Sequence, residues 1–303
     1  MFINLEFWLQ LAVGIIVSIW LFYVPGKVVC SRFFPKLSES ISLCCGIGLS
    51  LWVLQGYFFA TLGLRNLTWV YLVVSTYLFL RLKKKINFSF SFFKSNKILF
   101  LIIFFGVLIQ NLAVFPSGLK DSSGIRFYDI NAFDGIYYLT LTKNLVTNFP
   151  PQEPGFWGHN LINYHYFSNL VIADIARLFQ LPVSLLQFQV FPLLLSTFLG
   201  FLAFKLGKEF TGNENAGKFF TFLIYFGSDF GYITSLVLLK NFSITSLQPI
   251  ETSSLLFTNP PRAFAEVVFL SGIILLFYSL KEKKILQYLA SYVILISTLG
   301  FKI

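Results

Sequence analysis

Charge is scarce in this chain. Only 12% of its 303 residues are Asp, Glu, Lys or Arg, against about 25% in an ordinary soluble domain, which excludes a water-soluble globule. Histidine and cysteine are scarcer still, with two and three residues respectively. Cys30, Cys44 and Cys45 lie in or beside apolar runs without metal-site spacing. They cannot build a disulfide framework and read as small packing residues. Also absent are a phosphate-binding P-loop, a Gly-rich dinucleotide motif, a G-x-S-x-G elbow and an H-E-x-x-H pair. The net charge of +10 invites a nucleic-acid reading. However, the Lys and Arg residues sit in short segments between apolar runs, as topology determinants do, so no nucleic-acid partner is expected.

What is abundant is hydrophobic surface: 56% of residues, among them 39 Phe, 14 Tyr and 5 Trp. Tyr and Trp suit the boundary between lipid and water. Apolar runs near 7–24, 41–63, 67–82, 98–115, 183–204, 219–239, 263–280 and 285–303 approach the ~20 residues that cross a bilayer. A further helix is predicted at 165–180, carrying Asp174 and Arg177 three residues apart, which can pair on one face. The predicted fold class is an all-α polytopic membrane protein with about eight or nine transmembrane helices. No internal repeat is evident. The run at 285–303 reaches the last residue, which reads as a longer protein cut short.

Charge sets the expected orientation. Segment 81–97 holds six Lys or Arg and no acid, which places it in the cytoplasm. Residues 25–40, the Lys205–Lys218 region and the KEKK at 281–284 fall on the same side. The loop 116–165 and the stretch 241–261 fall outside. This count closes only if the 165–180 helix lies at the interface rather than crossing.

That outer loop gathers the titratable groups. Between Pro116 and Tyr166 lie both histidines, four of the thirteen acids and four of the eleven prolines. In a membrane protein such a concentration marks the place for chemistry. Asp134 opens the run DGIYYLTLTKNL. On a helix, Asp134, Tyr138, Leu141 and Leu145 share a face, so the carboxylate is expected partly desolvated and suited to act as a general base. An N-cap is the alternative use of the same residue. Either Asp121 or Asp129 could bind a divalent cation with Asp134, although their spacing matches no strong metal motif and solvated loop acids are the ordinary reading. Arg126 could grip a phosphate or pair with a neighbouring Asp. The Pro150-Pro-Gln-Glu-Pro154 elbow cannot be helical inside and fixes where Glu153 points. Tyr164 and His165, in Asn-Tyr-His-Tyr, stand where the chain re-enters the membrane. They could face a sugar, a phosphate or a lipid, or form an interfacial belt. His159 reads as a loop residue. Arg262, after Asn259-Pro-Pro, could anchor a phosphate, snorkel, or pair with Glu266 four residues on.

As an ensemble these residues resemble GT-C-fold membrane glycosyltransferases, of the dolichyl-phosphate-mannose-protein mannosyltransferase type and its bacterial relatives. Asp134-Gly-Ile-Tyr-Tyr138 is similar to that family's Asp-Glu-x-Tyr-Tyr. The proline elbow followed by Tyr164-His-Tyr166, and the Pro260-Pro-Arg262 turn, are similar to later parts of its bacterial members. The resemblance covers 98–303, as a GT-C-like module with the outer loop 116–165. Residues 1–97, three spans and a basic cytoplasmic loop, look like an N-terminal addition. The resemblance implies a prokaryotic plasma-membrane enzyme that transfers a sugar from a polyprenyl-phosphate donor to an acceptor hydroxyl of a glycan, lipid or protein, on the extracytoplasmic face. It implies Asp134 as the base that deprotonates the acceptor hydroxyl or the group that orients it, with Arg126, His165 and Arg262 as candidates for the leaving phosphate, and Tyr138, Glu153 and Tyr164 as candidate binding residues. Gly135 departs from the family, since a second acid is expected there. Two other readings stand beside it. One is a transporter or flippase with Arg126, Asp174, Arg177 and Arg262 along its path; the other is an inactive membrane scaffold.

Overall fold

The computed structural model describes residues 4–82, 95–112, 114–122, 124–156, 158–227 and 260–301; the side chains of Asp121, Asp129, Ile130 and Pro260 lie outside that description. The stretch 241–261, expected on the outer side, is outside the described residues up to 259. Of the described residues 78% are helical, and among them the only sheet is a two-stranded hairpin. Its helices are α1 (Leu5–Phe33), α2 (Ile41–Thr61), α3 (Thr68–Leu80), α4 (Lys97–Leu112), α5 (Asp134–Thr147) and α6 (Phe167–Phe179). They continue with α7 (Val183–Thr211), α8 (Glu214–Phe226), α9 (Pro260–Glu282) and α10 (Ile285–Ser297). Strands β1 (Lys120–Asp121) and β2 (Gly124–Ile125) pair antiparallel.

Four of these helices, α1, α2, α7 and α9, are long and apolar enough to cross a membrane, which makes this an all-α membrane protein. That is fewer than the eight or nine expected. The apolar runs near 67–82, 98–115 and 285–303 yield helices of 13, 16 and 13 residues. At about 1.5 Å per residue these fall short of a ~30 Å hydrocarbon core. The run near 219–239 is helical to Phe226, and its remainder from 228 lies outside the described residues. Apolarity was read correctly along these runs, but helix ends interrupt them.

Local chemistry sets those ends. Asn4 accepts the Phe7 N–H at 3.0 Å and starts α1. Gly212, at φ 74°, closes α7 with its N–H on the Lys208 carbonyl at 2.8 Å, and Asn213 caps α8 through the Asn215 N–H at 2.8 Å. In lipid, hydrophobic burial does not drive helices together, so close backbone approach has to. A Cβ on Gly26 would overlap the Cys44 carbonyl, and one on Gly48 that of Phe22, so α1 and α2 meet backbone to backbone. Tyr225 of α8 fills the notch between Gly106 of α4 and Gly200 of α7 and donates to the Ser196 carbonyl at 2.6 Å.

Charges collect at two ends of this bundle. At one, Lys36 meets Glu282 at 2.9 Å, Lys208 meets Glu214 at 2.6 Å, and Gln287 donates to the Phe33 carbonyl at 2.6 Å. At the other lie the polar segment from 114 to 166, the start of α1 and the end of α2. Helix α6 touches that second end at both its termini. Asn169 donates to the Tyr138 carbonyl at 3.1 Å, and Arg177 to the Arg65 carbonyl at 3.2 Å. Its middle, Ser168–Ala176, is buried within the protein.

Candidate functional site

Helix α5 organises the polar end. Tyr138, Leu141 and Leu145 face inward and are buried, with Thr142 beside them, while Lys143 and Thr147 are exposed. Asn169 of α6 clamps this face by donating to both the Tyr138 carbonyl and, at 2.8 Å, the Thr142 hydroxyl. Asp134 sits in the first turn, where a carboxylate complements the helix dipole. It is exposed, which corrects the expected partly desolvated carboxylate. The stripe it heads dives into the protein one turn later, at Tyr138, so Asp134 itself stands at the rim.

Below that rim is a cluster of phenols. Tyr137 and Tyr164 meet edge to face at 5.6 Å, and His165 stacks on Tyr164 with ring centres 4.4 Å apart. The Tyr137 hydroxyl reaches Glu153 Oε1 at 3.4 Å, a long contact. Asn163, at φ 57°, turns the chain immediately before Tyr164; Asn tolerates this left-handed conformation better than most residues. The elbow is held by Asn144 Oδ1, which accepts the Gln152 N–H at 2.9 Å, and by the Glu153 N–H on the His159 carbonyl at 2.9 Å. His159 is exposed and meets the elbow through its backbone, whose N–H also donates to the Phe156 carbonyl at 3.2 Å.

Burial raises the Tyr137, Tyr138 and Tyr164 phenols above their ordinary range. For Tyr164 the hydrogen bond with Tyr138 comes next, and the Asp134 and Glu153 charges add to it. Tyr166 is pushed up to about 12 by burial and by Tyr57. These phenols are therefore neutral hydrogen-bond donors at physiological pH. The Asp134 and Glu153 charges both reach Tyr164, so Asp134, Tyr138, Glu153, Tyr164 and His165 form one neighbourhood of two carboxylates and aromatic rings. Rings suit the apolar face of a sugar, and carboxylates with phenols suit its hydroxyls.

Arg126 lines a cleft of about 750 Å³ between the first turns of α1 and α7 and the β hairpin. Arg262 Nε lies 3.6 Å from Glu266 Oε1 on α9. Asp121 and Asp129, proposed to share a cation with Asp134, have side chains outside the described residues. Among the described residues, no three His, Cys, Asp or Glu side chains gather as metal ligands. At Gly135, where a second acid was expected, a Cβ would sit tightly against Asn131 Cβ at 3.1 Å and Phe188 Cε1 at 3.2 Å, so a side chain there requires these neighbours to give by a few tenths of an ångström.

Sequence reasoning missed Arg65. It follows α2, donates to the Leu145 carbonyl at the end of α5 at 2.8 Å, and meets Asp174 at 2.7 Å. Arg177 lies 3.6 Å from the same carboxylate, and the Asp174 side chain is 2% exposed. The expected Asp174–Arg177 pair is therefore one half of a two-arginine clamp, which binds α2, α5 and α6 together. Burial lowers the Arg177 guanidinium, and the neighbouring Asp174 opposes that shift. The only signal for Arg65 was a lone cation closing an apolar run. Comparison with family models, with curated proteins and with solved structures finds no match.

Proposed function

We propose that this protein is a membrane glycosyltransferase of the GT-C type, moving a sugar from a polyprenyl-phosphate donor to an acceptor hydroxyl at the polar end of the bundle. The observation that carries this reading is the Asp134 carboxylate, accessible at the first turn of α5 and within electrostatic reach of the Tyr138 and Tyr164 phenols. A glycosyl transfer of this kind needs a base for the acceptor proton, a surface for the sugar and positive charge for the departing phosphate. Asp134 supplies the first. An exposed carboxylate can meet an acceptor arriving from solution, and it needs no desolvation to accept a hydrogen bond from that hydroxyl. The Tyr137, Tyr138 and Tyr164 rings supply the second, with Glu153 beside Tyr137. His165, stacked on Tyr164, is the nearest candidate for the third, as a donor to phosphate oxygen when protonated.

The lysine-rich opposite end supports an extracytoplasmic placement of this site, by the bias of cytoplasmic segments toward Lys and Arg. The transporter reading loses support, because Asp174 is committed to Arg65 and Arg177, and Arg262 lies beside Glu266.

The test is Asp134→Asn in membranes supplied with a labelled polyprenyl-phosphate sugar. Transfer is expected to fall by about 100-fold or more, the scale of lost general-base catalysis, with unchanged protein in the membrane. Transfer at the wild-type rate would remove Asp134 from the mechanism.

A further inference from the structure

Helix α7 is not α-helical throughout. Residues Leu186–Val190, close to its first residue, form a π turn, whose i→i+5 bonds admit one residue more than an α turn and which recurs at functional sites. The turn carries three consecutive side chains, Gln187, Phe188 and Gln189, each no more than 1% exposed. In an α-helix three successive residues fan out over about 200°. In this π turn each of the three grips a different piece of the polar end. Gln189 donates to the Phe115 and Ser117 carbonyls after α4, both at 2.7 Å. The Phe188 ring packs on Gly118, at φ 77°, and meets Phe127 edge to face at 5.8 Å. Gln187 crosses to α5 and donates to the Gly135 carbonyl at 3.2 Å.

Two of these contacts converge on residue 135. Phe188 Cε1 lies 3.2 Å from where a Cβ of Gly135 would stand, and Gln187 holds the carbonyl of the same residue. Gly135 follows Asp134 in the first turn of α5, so what fixes residue 135 also fixes the carboxylate beside it. One turn on, Asn169 of α6 holds the Tyr138 carbonyl. Helix α5 is thus pinned at its first turn by α7 and at its second by α6. Packing alone does not call for a glutamine at 187. A buried amide costs free energy unless its polar atoms are bonded. Among the described residues Gln187 donates to one helix carbonyl, and its Oε1 has no hydrogen-bond partner. A buried polar group kept at that cost points to a role other than stability.

We propose that Gln187 is the positioning residue for Asp134. From the π turn it fixes the Gly135 carbonyl, and thereby the direction in which the Asp134 carboxylate meets an acceptor hydroxyl. The catalytic consequence rests on the transfer reading; the positioning of the first turn does not.

A spin label tests the positioning in the purified full chain, attached at Asp134→Cys; the native cysteines are buried. Adding Gln187→Leu should loosen the label at 134. A label at Thr147→Cys, exposed at the other end of α5, should keep its mobility. Equal loosening at both ends would show general destabilisation, and an unchanged label at 134 would show no positioning; either result overturns the proposal. In the transfer assay Gln187→Leu should lower kcat about tenfold, the scale of one hydrogen bond, with KM for the polyprenyl-phosphate sugar unchanged. Gln187→Glu should approach the wild-type rate as pH falls, because only the protonated carboxyl donates to the Gly135 carbonyl. This variant carries the test should Gln187→Leu fail to fold. A Glu variant that stays slow at every pH, or a change in KM alone, would overturn the catalytic consequence. A wild-type chain that transfers no sugar would sink the transfer reading, while the two labels still decide whether Gln187 positions residue 134.

Discussion

Gly135 shows how a single residue limits the chemistry of the polar end. Its neighbour Asp134 is exposed, whereas a Cβ at position 135 would crowd Asn131 and Phe188 at 3.1–3.2 Å. Any mechanism here works with one carboxylate in the first turn of α5, and Glu153, brought in by the proline elbow, is the second acid of the neighbourhood. Gly135→Asp should not strengthen transfer. It should lower stability by about 1–3 kcal/mol, as overpacking does, seen as a lower melting temperature of the detergent-solubilised protein. A variant as stable as wild type would mean that the α5–Phe188 contact is looser than described. Helical periodicity gave the inward face of α5 correctly at Tyr138, Leu141 and Leu145, yet misjudged Asp134. Period says which way a side chain points and nothing about how far a helix end protrudes. The Tyr137–Glu153 contact joins residues 16 apart across a turn, which no local pattern specifies.

Elements are held by polar clamps as much as by apolar packing. Arg65, Asp174 and Arg177 tie α2, α5 and α6 at one point, and Gly56 of α2 leaves the space into which the Asp174 carboxylate fits, with Oδ2 2.7 Å from where a Cβ would stand. Asp174→Ala leaves two arginines without their shared carboxylate and should cost about 3–5 kcal/mol; Arg65→Ala leaves Asp174 with Arg177 and should cost less, and the double variant less than the sum of the two. Additive losses in a double-mutant cycle, followed by thermal unfolding, would show that the clamp is not a unit. The helices were legible because a long apolar run has few other uses. The clamp was legible only in its local half: Asp174 and Arg177 are neighbours on one helix, whereas Arg65 is 109 residues from Asp174 and is brought there by the fold alone.

For the whole molecule, the division of labour is between two ends of one bundle. One end is rich in lysine and built from helix termini. The other gathers Asp134, Glu153, His165 and the partly buried phenols around α5, and the Arg65–Asp174–Arg177 clamp joins α5 to α2 and α6. Among the described residues the membrane-crossing helices are α1, α2, α7 and α9, and α6 packs against α5 within the protein. The central claim is that the polar end transfers sugar. It is tested most directly by reconstituting the purified protein in liposomes with a series of labelled polyprenyl-phosphate sugars and following free polyprenyl phosphate together with labelled acceptor. Release of the lipid phosphate in step with labelling of the acceptor is the expected result. Counterflow of the donor or of a solute across the bilayer, with no lipid phosphate released from any donor, would contradict it.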